Sequence, residues 1–267
     1  MHPLVLSYLY MGLIKAIAFD VDGTLVDSDQ THFDAFNAVL SRHNLPAIDW
    51  GTYVSKGLIS YDDTRFFSEI TGWQGLREIY LEGLVKEKES EMKTRMETNP
   101  PKIYPYVAGL VQCLGQRKIP MFLATGSERE EVQQYFRGHP RLMRHLSIMA
   151  TASDKLPSKP DPALFNKGLE RLNAALQRNI SPDEVVGIED TAKGILALRN
   201  AGMHAIGVLN TTDNAQTLYA GGACAVVSTI SRSFISRVLG VQDQAGMQPK
   251  ALQQELRRLK CFVPQVA

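Results

Sequence analysis

The sequence predicts a doubly wound α/β protein, a parallel sheet with helices on both faces, interrupted after its first strand by an inserted helical cap. Short apolar, β-branched runs alternate with amphipathic helical patterns along most of the chain, and the interval 28–98 replaces that alternation with helix alone. At 267 residues and 44% hydrophobic content, the chain can bury the core such a fold requires.

In chain order, the expected strands are IKAIAFD (14–20), IPMFLAT (119–125), LSIMAT (146–151), EVVGIED (184–190), HAIGVL (204–209) and CAVVS (224–228). Each is a short apolar run, the form taken by strands covered on both faces. Helices are expected at YVAGLVQCLGQRK (106–118), EREEVQQYFRG (128–138), PALFNKGLERLNAAL (162–176) and TAKGILALRNAG (191–202). Ser127 with Glu130 fits a capping box, and Asp161 before Pro162 fits an N-cap and first helical position. Within the insert, THFDAFNAVLSRH is amphipathic and REIYLEGLVKEKESEMKTRMET is a charged helical stretch. LVDSDQ (25–30) and NPPKIYP (99–105) read as its two connections. The division is therefore a discontinuous core (11–27 and 99–230), a cap (28–98), an extension (1–10) and a peripheral tail (231–267).

A balance of 29 basic against 28 acidic residues gives no bulk electrostatic reason to expect nucleic acid or an anionic membrane as partner. Any phosphate affinity must be local. Cys113, Cys224 and Cys261 are far apart and odd in number, so they make neither a zinc spacing nor a disulfide framework, and a reducing, cytoplasmic compartment is expected. MHPLVLSYLYMGLI lacks the basic start of a signal peptide, and no stretch approaches the roughly 18 apolar residues of a spanning helix.

The chemistry concentrates in AFDVDGTLVDSD (18–29), which follows the first strand. A calcium loop fails on spacing: counted from Asp20, Gly23 stands fourth rather than sixth, and Thr31 rather than glutamate stands twelfth. A turn with capping aspartates is the plain alternative. Asp20 and Asp22 are two apart, so a continuing strand would point both the same way, and Gly23 permits a sharp turn. Paired carboxylates need a compensating cation. Mg²⁺, which is held by few carboxylates and keeps positions for phosphate oxygens, answers that need. A carboxylate can also attack phosphorus, while a second shuttles the proton. Asp20, Thr125 and Asp190 all fall at strand carboxyl ends, where open α/β sheets bind ligands.

These residues resemble the haloacid dehalogenase superfamily across nearly all of residues 14–228. DVDGT resembles its first motif, Thr125 in FLATGS its second, Lys159 in SKPDP its third, and Glu189 with Asp190 in GIEDT its fourth. The resemblance implies a Rossmann-like core, Asp20 as nucleophile, Asp22 as proton shuttle, and Mg²⁺ held by Asp20, the backbone carbonyl of Asp22, and Asp190, with Glu189 ligating or supporting. Thr125 and the N–H groups of Gly126 and Ser127 would bind phosphate oxygens at a helix start. Lys159 would neutralise developing charge, with Lys155 a second candidate.

The insert resembles the small cap of the phosphoglycolate phosphatase and β-phosphoglucomutase group. His32 falls where that group often has a histidine, and KGLISYDDT (56–64) resembles its specificity loop, with Lys56 and Gly57 matching. The mutases' anion-binding arginine is replaced by Tyr61, which favours hydrolysis of a small phosphorylated metabolite, a sugar or polyol phosphate. Arg65, one helical turn on, keeps a mutase as the alternative. Asp22 argues against the family's carbon–halogen hydrolases, and the full motif set argues against a non-catalytic module. Asp27 and Asp29 read as hinge or cap-entry residues without a part in the chemistry.

Overall fold

The computed structural model of the chain describes residues 14–55, 63–71, 78–210 and 214–231. The N-terminal extension, Lys56, Tyr61 and the tail beyond Ser231 lie outside the described residues.

The architecture is the expected doubly wound α/β core with a helical insert. Six parallel strands make the main sheet: β1 (Ala16–Phe19), β4 (Met121–Ala124), β5 (Met149–Ala150), β6 (Val185–Glu189), β7 (His204–Val208) and β8 (Ala225–Val227). Their spatial order is β5-β4-β1-β6-β7-β8. The chain winds outward from β1 through β4 to β5, then crosses back to β6 and continues the other way. The crevice beyond the carboxyl ends of β1 and β6 is thus the topological switch point, where this class of sheet binds ligands.

Both faces of the sheet are buried because successive side chains point to opposite sides. Ile17 and Phe19 join one apolar cluster with α5 (Pro105–Gln116), α6 (Arg129–Tyr135) and α7 (Pro140–His145). Ala16 and Ala18 face the other, against α8 (Ala163–Leu176), α9 (Ala192–Asn200) and α10 (Ala215–Ala220). Small residues on this second face let the helices approach closely. A Cβ on Gly187 would lie 2.1 Å from a Leu198 methyl, so the Leu198 side chain packs into the space that this glycine leaves on β6.

The insert contains α1 (Asp29–Arg42), α2 (Trp50–Ser55), α3 (Asp63–Thr71) and α4 (Glu78–Thr98). They share a third cluster built from Phe36, Leu40, Tyr53, Phe66, Phe67 and Leu84, among others. Phe36 and Phe66 meet edge to face with centroids 4.2 Å apart, a favoured aromatic geometry. The two connections pair as a short antiparallel ladder, β2 (Val26–Asp27) with β3 (Lys102–Ile103). Among the described residues no helix is long and apolar enough to cross a membrane.

Two helix starts differ from expectation by one residue. Helix α6 is capped at Glu128, whose N–H meets Glu131 Oε2 at 3.4 Å, rather than at Ser127. Ser127 is unavailable as a cap because its hydroxyl turns inward to Asp22 and its N–H donates to Thr125 Oγ1. Helix α8 begins at Ala163, with Pro162 at the cap position and the Asp161 carboxylate accepting the Ala163 N–H at 2.9 Å.

Candidate active site

The site forms where β1, β4 and β6 end, beneath the insert, around a cavity of about 480 Å³. Asp20 follows β1 directly, and its N–H still bonds the Ile188 carbonyl at 3.0 Å, so the sheet ladder fixes its backbone. The chain then turns at Gly23, whose φ of 71° suits a residue without a Cβ. This turn ends the strand alternation. Asp20 and Asp22 line the same cavity but engage different partners.

Asp20 is buried and hydrogen-bonded to the Lys159 ammonium, which also donates to Glu189 Oε1 at 2.8 Å. Burial pushes the Asp20 carboxyl well above its ordinary value against the pull of Lys159, and Glu189 and Asp22 add to the rise. Burial alone would lower Lys159, but Asp20 and Glu189 outweigh it and raise the ammonium above its usual range. Glu189 is anchored from behind as Oε2 accepts the Thr191 N–H at 2.7 Å and its hydroxyl at 2.8 Å. Asp190 Oδ1 accepts the Thr24 hydroxyl at 3.0 Å.

Asp20, Glu189 and Asp190 present carboxylate oxygens within 4.8 Å of one another, all buried. With Lys159 between two of them, the group still carries excess negative charge in a region where unpaired charge is costly. This set of hard oxygen donors fits a divalent cation such as Mg²⁺.

Asp22 sits in a nest of donors. Ser28 Oγ donates to Oδ1 at 2.6 Å and the Tyr135 hydroxyl at 2.9 Å, Ser127 Oγ donates to Oδ2, and His32 Nε2 lies 3.6 Å from Oδ1. Burial works to raise this carboxyl, but His32 and the Ser127 and Ser28 hydroxyls together hold it well below the usual carboxylate range. Tyr135 also reaches Glu131 Oε1 at 2.9 Å, so one phenolic proton faces two carboxylates. Thr125 is buried, with its Oγ1 accepting the Ser127 N–H at 3.0 Å and lying 3.4 Å from Asp22 Oδ2. Gly126 lines the cavity beside it.

The structure thus brings Asp20, Asp22, His32, Thr125, Gly126, Ser127, Lys159, Glu189 and Asp190 to one cavity. Lys155 is exposed and does not line it. Arg65 stands on α3, and its side chain lies outside the described residues. Several residues that line the cavity, as Glu131 and Lys88 do, or support it from behind, as Tyr135 does through Asp22, carried no distinct signal in sequence. Glu131 and Tyr135 are one turn apart on α6, a spacing ordinary in any helix. Lys88, within the charged run of α4, is buried 3.0 Å from Asp63 and 5.1 Å above the Phe36 ring. Burial would lower that ammonium, but Asp63 outweighs it and raises it. Asp27 is exposed as a connection residue should be, whereas Asp29 opens the first helix of the insert, as a cap-entry residue would, but is buried and lines the cavity. Burial lifts the Asp29 carboxyl to about 6 against a lowering influence from His32.

A family model described as haloacid dehalogenase-like hydrolase matches residues 14–202. Among curated relatives, a phosphorylated carbohydrates phosphatase from Thermotoga maritima is 26% identical over 223 residues, covering 80% of this chain and 94% of that protein. A β-phosphoglucomutase from Bacillus subtilis is 25% identical over 206 residues, covering 73% and 83%. The crystal structure of CbbY from Rhodobacter sphaeroides with xylulose 1,5-bisphosphate aligns at a TM-score of 0.70 and 20% identity, covering 82% of this chain and 96% of that one, a likeness of fold.

Proposed function

The chain belongs to the haloacid dehalogenase-like hydrolases, and from that membership we propose that it is a Mg²⁺-dependent phosphatase of small phosphorylated metabolites, of the sugar or polyol phosphate class. The observation that carries the reading is the pairing of Asp20 with buried Lys159, while a second carboxylate, Asp22, lines the same cavity from a separate nest.

In this reading an Asp20 oxygen forms a bond to phosphorus as the bond from phosphorus to the leaving oxygen breaks, giving an aspartyl phosphate. Protonated Asp22 gives its proton to the leaving alkoxide. Asp22 then takes a proton from water, whose oxygen attacks phosphorus and releases Asp20. The donor nest around Asp22 favours its ionised form, which suits the second step. The first step needs a proton delivered to it, and the His32 ring nitrogen 3.6 Å away is the neighbour suited to carry one. Lys159 holds Asp20 in position and balances charge on the phosphoryl oxygens. Thr125 and the N–H groups at Gly126 and Ser127 orient those oxygens. Asp20, Glu189, Asp190 and the Asp22 carbonyl would hold Mg²⁺, which supplies neutralising charge to the phosphoryl group.

The same reading divides the chain into a core (11–27 and 99–230) and a cap (28–98), supported by the separate apolar cluster of the insert and the β2–β3 ladder at the junction. The test is release of inorganic phosphate from a panel of phosphate monoesters, with Mg²⁺ and with chelator. Chelator-sensitive release that Asp20→Asn abolishes is expected, and metal-dependent turnover by purified Asp20→Asn would remove the nucleophile from the scheme. Similarity to the Bacillus subtilis mutase keeps phosphoryl transfer between sugar positions as the second reading. Glucose 6-phosphate accumulating from β-glucose 1-phosphate with a bisphosphate primer would favour it.

A further inference from the structure

We infer that Asp29 is a specificity-determining residue, whose carboxylate accepts hydrogen bonds from the hydroxyls of the leaving group and disfavours leaving groups that carry a second anion. The inference rests on the phosphatase reading, because it concerns the part of the ester that departs. Asp29 opens α1 and is only 5% exposed, yet among the described residues its side chain has no hydrogen bond and no ion pair. It lines the cavity. A buried carboxylate without partners is costly, and four acceptor sites facing a ligand cavity are answered by a ligand that brings donors.

The surroundings say which donors. Tyr53 lines the same wall, held by edge contact with Phe33 at 5.6 Å and by Phe36, and its hydroxyl also has no partner among the described residues. Lys88, the buried cation of that wall, is committed to Asp63 at 3.0 Å and to the Phe36 face. His32 lines the cavity too and pulls on Asp29, but its ring nitrogen lies 3.6 Å from Asp22 and 4.0 Å from Glu131, so the wall offers a further ligand acceptors, a hydroxyl and an aromatic surface, with both Lys88 and His32 already facing carboxylates. Adjacent hydroxyls on a carbon chain match this, since a carboxylate can accept from two at once while Phe36 covers the C–H side. A second phosphate or a carboxylate would be buried beside Asp29 without compensation.

The test compares the full-length enzyme with Asp29→Asn on sorbitol 6-phosphate, p-nitrophenyl phosphate and phosphoglycolate, reading kcat and KM for each with Mg²⁺ present. Asparagine keeps the shape and removes the charge. Selectivity in kcat/KM for sorbitol 6-phosphate over p-nitrophenyl phosphate should fall about tenfold or more, the range of one or two hydrogen bonds to a charged group, carried by KM rather than kcat. Discrimination against phosphoglycolate should narrow in the same variant. Unchanged ratios, a loss carried by kcat alike on every ester, or a wild-type preference for phosphoglycolate would overturn the role of Asp29 while leaving the phosphatase reading standing. A wild-type enzyme that releases phosphate from none of the three would overturn both.

Discussion

Replacing Asp29 by asparagine should stabilise the fold above pH 6 and have little effect near pH 4. In the unfolded chain an aspartate titrates at roughly 3.9. In the folded protein burial raises Asp29 to about 6, so its charged form is disfavoured by folding. A carboxyl raised in this way costs nothing below both values. The cost grows as pH rises between them and is complete above the folded one. A difference of that size is worth about 3 kcal/mol. For a domain of this size each kcal/mol moves Tm by about 2–4 °C, so Asp29→Asn should melt up to about 6–12 °C higher at pH 8. Thermal unfolding of both proteins in chelator from pH 4 to pH 8 measures the difference at each pH. A gap that opens as pH rises supports a buried carboxylate without partners. A gap independent of pH, or a variant less stable at pH 8, refutes it and shows that Asp29 has a partner in the folded state.

Lys159→Met removes the cation between Asp20 and Glu189, leaving two buried carboxylates facing each other, and should cost about 3–5 kcal/mol near neutrality. The loss should shrink as acid protonates Asp20, whose raised pKa in the fold makes the ionised form the costly one, and a Tm deficit constant from pH 4 to pH 8 would contradict it. Tyr135→Phe removes the hydroxyl that positions Asp22 and Glu131 and should lower kcat about tenfold or more with KM nearly unchanged, whereas a loss confined to KM would place Tyr135 in binding instead. Gly194→Ala would put a Cβ 1.6 Å from Glu189 Oε1, forcing that carboxylate from Lys159 and the acidic cluster. Weaker metal binding by calorimetry and a lower Tm are expected, and wild-type values for both would mean that α9 shifts to make room.

The strands were legible because burial on both faces requires continuous apolar runs, and β1, β4 and β6 carry them without a polar break. Helix α1 was legible because it spans enough turns to show an amphipathic pattern, and α4 because its long run of charged, helix-favouring residues has no proline to break it. Six-residue helices such as α2, α7 and α10 cover less than two turns, and two-residue strands such as β2 and β3 carry no period at all. The start of α6 was displaced because a tertiary partner, Asp22, claims the Ser127 hydroxyl that local chemistry assigns to a cap. Asp20, Thr125 and Asp190 could be placed together because strand ends converge at a switch point, whereas Lys159, in a loop before α8, and Glu189 were placed by the resemblance of SKPDP and GIEDT to family motifs. Tyr135, Glu131 and Lys88 could not, because a charged or aromatic residue on a helix looks the same in sequence whether it faces water, a cavity or another buried side chain.

The stretch DVDGTLVDSD therefore holds four aspartates in four different environments. Asp20 is compensated by Lys159, Asp22 by a nest of hydroxyls and His32, and Asp27 by exposure to water. Asp29 has only the pull of His32, with no hydrogen bond and no ion pair among the described residues. Asp22 and Asp27 find in the folded protein what their charges require, whereas Asp20, though held by Lys159, shares a buried acidic cluster that calls for a cation. A carboxylate kept in a cavity at a cost to stability is instead the signature of a group reserved for a ligand, since selection for stability alone would replace it. If Asp29→Asn proves both more stable at pH 8 and less selective for a polyol ester, the two effects have one origin: a charge left uncompensated until the leaving group supplies its hydroxyls.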